Sequence, residues 1–146
     1  MNVGQMLRIA HSVSDKVHTV NHSTTIEEVA KKLSEKRIGA LPVLKDGILV
    51  GIISERDIAI RLVAEGLDPR KTKVSRIMTP NPTVAFPNYS LEECHQMMER
   101  GHFRHLPVFE NNRLIGMISI RDILVALLHE KANLLAHFQD YISTGR

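Results

Sequence analysis

Apolar residues recur along this chain at two alternating periods. Ile26, Val29, Ala30 and Leu33 fall at i, i+3, i+4 and i+7, the stripe of an amphipathic helix. Thr24 and Thr25 precede it, and Thr25 with Glu28 fits a capping box. Val17 to Val20 reads as a short strand before that helix. Ala40 to Leu44 is an apolar run, and Ile48 to Ile53 is its return strand. Between them Lys45-Asp46-Gly47 is a tight turn, with Gly47 suited to positive φ. A helix from about Glu55 to Glu65 completes the order strand, helix, strand, strand, helix.

The same pattern then repeats. Thr25 to Ile58 and Ser90 to Ile123 align without a gap at an offset of 65, with 12 of 34 positions identical. The second copy opens at Thr83. Ser90 and Glu93 stand as its cap, Leu91, Cys94 and Met98 as its stripe, and Glu110-Asn111-Asn112 as its turn. The lead-ins also match: Val3-Gly4-Gln5-Met6-Leu7 resembles Val74-Ser75-Arg76-Ile77-Met78. One copy is too short to bury its apolar faces alone, so the two are expected to pack together. The expected fold class is α+β, two packed β-α-β-β-α units. The expected boundaries are 1–68 for the first unit with its lead-in helix, 69–80 for a linker, 81–128 for the second unit and 129–146 for a helical extension. Pro80, Pro82 and Pro87 confine helix to the flanks of the second unit's first strand.

From Ile120 to about Ile142 neither proline nor glycine intervenes. Leu124, Leu127, Leu128, Leu134, Leu135, Phe138 and Ile142 keep near-helical spacing, with no counterpart in the first copy. That stripe needs a cover, and self-association or a partner helix would supply it.

Composition narrows the function classes. There is no run of about 18 apolar residues, so nothing is expected to span a bilayer, and the N-terminal stretch does not read as a secretory signal. The one cysteine rules out an intramolecular disulfide and suits a reducing cytoplasm. A net charge of +3 with 4% aromatic residues tolerates anionic ligands without a base-stacking platform, so nucleic acid is not an expected partner.

The chemistry concentrates in Gly51-Ile52-Ile53-Ser54-Glu55-Arg56-Asp57 and Gly116-Met117-Ile118-Ser119-Ile120-Arg121-Asp122, where a strand passes into a helix. Two readings share these side chains. Ser-x-x-Asp is itself a capping box. The same helix start also offers free N–H groups and a partial positive charge to a phosphate. There Ser54 and Ser119 can bond phosphate oxygen, Asp57 and Asp122 can hold ribose hydroxyls, and Arg56 and Arg121 can add a charged fork.

With both motifs in matching places, beside the doubled Leu-Pro-Val of the hairpins, the chain resembles a tandem pair of cystathionine-β-synthase (CBS) domains, the Bateman module. The phrases ISERDIA and FRHLPV are similar to those of small stand-alone bacterial members. The resemblance implies clefts between the copies that take adenosine-containing ligands. AMP is the first expectation, with ADP, ATP, NAD(H) or S-adenosylmethionine as alternatives. It implies that Thr19 with Val20, and Thr83 with Val84, edge the adenine. Ile38-Gly39-Ala40 and Phe103-Arg104-His105 would close the clefts. Arg104 and His105 align with Gly39 and Ala40 and would face phosphate, which predicts two unequal sites. It further implies a homodimer and a separate downstream protein that reads the ligand state.

Other chemistries find little support in the sequence. His102 and His105 flank a strand start rather than one helical face, and no Cys/His spacing suits zinc. Cys94 lies on the inward stripe, and no nucleophile–base arrangement is suggested. The expectation is a non-catalytic regulatory module without a metal or a resident cofactor. The alternative is an interaction scaffold whose clefts are vestigial.

Overall fold

A computed structural model describes residues 1–10 and 17–144. In chain order the elements are α1 (Val3–Ala10), β1 (Val20–Asn21), α2 (Ile26–Lys36), β2 (Ala40–Lys45), β3 (Ile48–Ser54) and α3 (Glu55–Asp57), which runs into a π-helical turn, Ile58–Val63. Then come α4 (Val74–Ile77), β4 (Thr79–Pro80), α5 (Leu91–Gly101), β5 (His105–Glu110), β6 (Arg113–Ser119) and α6 (Ile120–Thr144).

Each hairpin is set by its turn. Asp46 and Gly47 have φ of 51° and 77°, and Asn111 and Asn112 have 52° and 59°. Both pairs suit the primed turn whose twist matches the flanking strands. A register shift falls at Val43/Leu44 in one hairpin and at Val108/Phe109 in the other, the same place in the repeat. β1 pairs parallel with β2, and β4 pairs antiparallel with β3, giving a four-stranded sheet. The second sheet has two strands, β5 and β6, and Ala85 adds only a single parallel bridge to Val108. The first strand is thus shorter than Val17–Val20 suggests, and in the second unit it shrinks to one residue between Pro82 and Pro87. Proline cannot donate to a ladder.

Two cores form, and they match residue for residue. Val20, Ile26, Val29, Leu33, Leu41, Val43 and Ile53 in the first correspond to Ala85, Leu91, Cys94, Met98, Leu106, Val108 and Ile118 in the second. The lead-ins cross over. Val3 and Met6 of α1 are buried in the second core, and Val74 and Ile77 of α4 in the first. Backbone bonds hold the exchange: Val3 N–H donates to the Tyr89 carbonyl at 2.9 Å and Val74 N–H to the Thr24 carbonyl at 2.8 Å.

One core position breaks the match. The first core buries Leu62 where the second buries Ile123, the counterpart of Ile58. The helix expected over Glu55–Glu65 is α-helical only to Asp57. Its wider π-turn, closed by Ala64 N–H to the Ala59 carbonyl at 3.2 Å, rotates Leu62 inward. α6 stays α-helical for 25 residues. Past Ile123 its apolar side chains are largely uncovered, with Leu134, Phe138 and Ile142 each at least 60% exposed. Among the described residues, no helix is long and apolar enough to cross a membrane.

Candidate functional site

A cleft of about 1290 Å³ opens between the two units. The first unit contributes Val17, His18, the end of α2 and Ile38-Gly39-Ala40. The second contributes Arg104, His105, Ile115, Gly116, Met117 and Ser119 of β6 and the first turn of α6, and α1 adds Gly4, Leu7 and Arg8. Leu7 lies over Gly116, where an added Cβ would come 3.1 Å from its Cδ2. A side chain at residue 116 would press on Leu7, so the glycine lets Leu7 pack closely there as part of the wall.

Of the residues the sequence points to, Ile38, Gly39, Ala40, Arg104, His105, Ser119, Arg121 and Asp122 line this cleft. Ser54, Arg56, Asp57, Thr19, Val20, Thr83, Val84 and Phe103 lie outside its lining. Val20 is committed to the first core, and Phe103 packs against the second while covering Gly101. The Thr19 carbonyl takes the Lys32 ammonium. Leu7, Arg8, Val17, His18, Lys36 and Arg37 are cleft residues that no motif singles out. Only the lead-in resemblance hints at Leu7.

The two Ser-x-x-Asp motifs are built alike and surrounded differently. In the second, Ser119 N–H donates to Asp122 Oδ2 at 2.9 Å and Asp122 N–H to Ser119 Oγ at 3.1 Å. Asp122 is exposed and lines the cleft, and its Oδ1 makes no hydrogen bond to a described residue. In the first, Ser54 N–H and Oγ–H both donate to Asp57 Oδ2 at 3.0 Å. Asp57 N–H donates to Ser54 Oγ at 3.2 Å, and Thr79 Oγ1 donates to the other carboxylate oxygen at 3.4 Å. Arg61 Nε stands 4.0 Å from that same oxygen, and the Asp57 side chain is only 12% exposed. Thr79 occupies in its lead-in the place Arg8 holds in the other. One unit thus closes on its aspartate while the other leaves it open. The open motif also starts the longer helix, with the fuller dipole for an anion.

His105 stands at the centre of the seam. Burial pushes its imidazole below the usual histidine range. Asp122 and Glu55 pull the other way, and Arg104 adds to the lowering. A neutral ring here can accept or donate one bond, and an arriving phosphate would favour its protonated form. Among the described residues, no cluster of three His, Cys, Asp or Glu side chains is placed to hold a metal ion.

A family model described as the CBS domain matches residues 9–64 and again 74–129. The CBS domain-containing protein YhcV of Bacillus subtilis is 35% identical over 120 residues, covering 82% of this chain and 85% of that one. Several longer Arabidopsis thaliana relatives are 36% to 39% identical, and the chain spans 20% of their length. Among solved structures, a putative signal-transduction protein with CBS domains from Burkholderia ambifaria superposes with a TM-score of 0.85 at 32% identity, covering 88% of this chain and 95% of that one. CBSX2, solved in complex with AMP, gives 0.71 at 27% identity, covering 89% and 98%.

Proposed function

Because the chain belongs to the CBS-domain family and carries two such domains in tandem, we propose that this regulatory module is non-catalytic and binds an adenosine-containing nucleotide in the cleft between its units. One observation carries the reading: the open Asp122 carboxylate and Ser119 at the start of α6 face a cleft that both units line. In this arrangement Asp122 takes ribose hydroxyls, and Ser119 with the first α6 amides takes phosphate. Arg104, His105 and Arg121 neutralise the phosphate charge, and Ile38 to Ala40 bound the base. The AMP bound by CBSX2 supports this ligand class. Ligand that binds one arrangement of the two units better than another shifts their population, and a partner protein reads the shift.

The exposed α6 stripe is the surface for self-association, and a homodimer in the cytoplasm is part of the reading. Sedimentation of the parent against Phe138→Lys tests it: a dimer that the variant dissociates supports it, and a monomeric parent removes it.

A second reading, an interaction scaffold, draws on the first motif. There Ser54 and Asp57 bond each other and Thr79, the arrangement of a helix cap. A thermal-shift panel on nucleotide-stripped protein separates the two readings. A binding nucleotide at about 100 times its Kd adds about 2.7 kcal/mol, a rise of several degrees that Asp122→Ala should abolish. A flat panel across AMP, ADP, ATP, NAD⁺, NADH and S-adenosylmethionine favours the scaffold.

A further inference from the structure

The chain carries 19 lysines and arginines against 16 aspartates and glutamates, a formal charge of +3. Five of those cations line the cleft, Arg8, Lys36, Arg37, Arg104 and Arg121, against two carboxylates, Glu110 and Asp122. Among the described residues 17 lysines and arginines stand against 15 aspartates and glutamates; outside the cleft lining they are nearly even at 12 against 13, so the positive surplus borders one cavity. The five side chains arrive from separate places: α1, the end of α2, the residue before β5 and the first turn of α6. A solvated basic helix face would draw its charges from one element.

Arg37 reaches the cleft lining from a helix cap, a place His102 holds in the other unit away from the cleft. It caps α2 with φ 54° and ψ 46°, the left-handed region in which glycine is the usual occupant and a long side chain is strained. The capping itself uses only its backbone, whose N–H reaches the Leu33 and Ser34 carbonyls. Glycine would cap equally well. What arginine adds at this position is a cationic side chain on a residue that lines the cleft.

We propose that the cleft is a nucleoside triphosphate site, preferring the triphosphate to the monophosphate, with Arg37 as the specificity-determining residue that engages the outer phosphates. The proposal rests on the adenosine reading above and deepens it. A monophosphate brings a charge of about −1.5 to −2, less than the surplus of three around the cavity. Each further phosphoryl group adds negative charge and more acceptor oxygens for the planar forks of Arg8, Arg37 and Arg104. A sulfonium ligand such as S-adenosylmethionine adds positive charge where it is least welcome. The cleft has room for the longer ligand, since small-molecule sites commonly occupy about 300–1,000 Å³.

The test is titration calorimetry on the nucleotide-stripped full chain with AMP, ADP, ATP and inorganic tripolyphosphate, at low and at physiological salt. The expected order is ATP over ADP over AMP, with ATP about tenfold or more tighter than AMP and the gap narrowing as salt is raised. Arg37→Gly should melt at the same temperature as the parent or higher, because the left-handed strain is relieved. It should nevertheless lose about fivefold in ATP affinity while AMP changes by less than about twofold. AMP binding as tightly as ATP overturns this proposal and leaves the adenosine reading standing. Tripolyphosphate binding without any nucleotide binding overturns the adenosine reading and retains a polyanion site. Binding by none of the four overturns both, and unchanged ATP affinity in Arg37→Gly removes Arg37 from the site.

Discussion

His105 and Gly39 meet across the seam between the two units: the ring atoms Cε1 and Nε2 each stand 3.4 Å from where a β-carbon on residue 39 would lie. Gly39 aligns with Arg104, and Ala40 with His105, so the contact sets a bare backbone of one unit against a titratable ring of the other and makes the two halves unequal. Around the ring stand Asp122, Glu55 and Arg104.

That environment gives the ring a pH signature. Its folded pKa lies below the ordinary 6.5, so as pH falls through that value the unfolded chain takes up the proton first. Stability is constant above that pH and declines below it until the folded pKa is reached. Melting temperature across about pH 5 to 8 should fall on the acid side for the parent and less for His105→Gln. Phosphate beside the ring favours its protonated form, so nucleotide affinity should rise as pH is lowered in the parent and stay flatter in the variant. Identical profiles for the two proteins would remove His105 from both roles.

The two aspartates should separate stability from binding. Asp57→Ala breaks bonds to the Ser54 backbone, the Ser54 hydroxyl and Thr79, and should cost about 0.5–2 kcal/mol, the range for losing a helix cap. Asp122→Ala loses one backbone bond at an exposed site and should unfold nearer the parent's midpoint while losing nucleotide. Chemical denaturation and calorimetry on the same two variants check the pairing. Equal binding by Asp122→Ala and the parent would refute the ribose assignment.

Met6 belongs to the N-terminal helix yet is 4% exposed within the second core. Met6→Ala should therefore cost about 2–5 kcal/mol, as other large-to-small core changes do. The loss of hydrogen-exchange protection should appear first in Leu91–Gly101 and Arg113–Ser119, not in Ile26–Lys36. Uniform loss across both units would mean that they unfold as one.

Cys94 is fully buried, and burial with help from Glu93 pushes its thiol up to about 11. A disulfide reagent at neutral pH should label it only through opening of the second core, at a rate that climbs with denaturant. Rapid labelling of the native protein would contradict its place in that core.

Much of this was legible from spacing alone. The Ile26–Val29–Leu33 and Leu91–Cys94–Met98 stripes, both hairpin turns and the doubled motif carry the α+β fold class and the paired arrangement. The π-turn after Asp57 was not legible, because it depends on Leu62 outcompeting Ile58 for a pocket built by distant residues. The openness of Asp122 against the closure of Asp57 was equally hidden. It turns on Thr79, which sits in a lead-in and reaches Asp57 only through tertiary packing, where the other lead-in carries Arg8. Lys36 and Arg37 were not legible as cleft residues, since nothing local shows that a cleft lies beside them.

The exchange of lead-ins has a consequence for how the chain can be divided. Cut between the units, the first half would keep α1, which it does not use, and lose α4, which closes its core; the second half would suffer the reverse. Neither piece could be whole by itself, yet two copies of a piece could each lend the other what it lacks. A chain with one lead-in and one unit would thus be an obligate pair, and joining two such chains end to end would turn a bimolecular requirement into a unimolecular one. Within one chain the two halves need not be alike, and here one has an open aspartate and the other a sealed one.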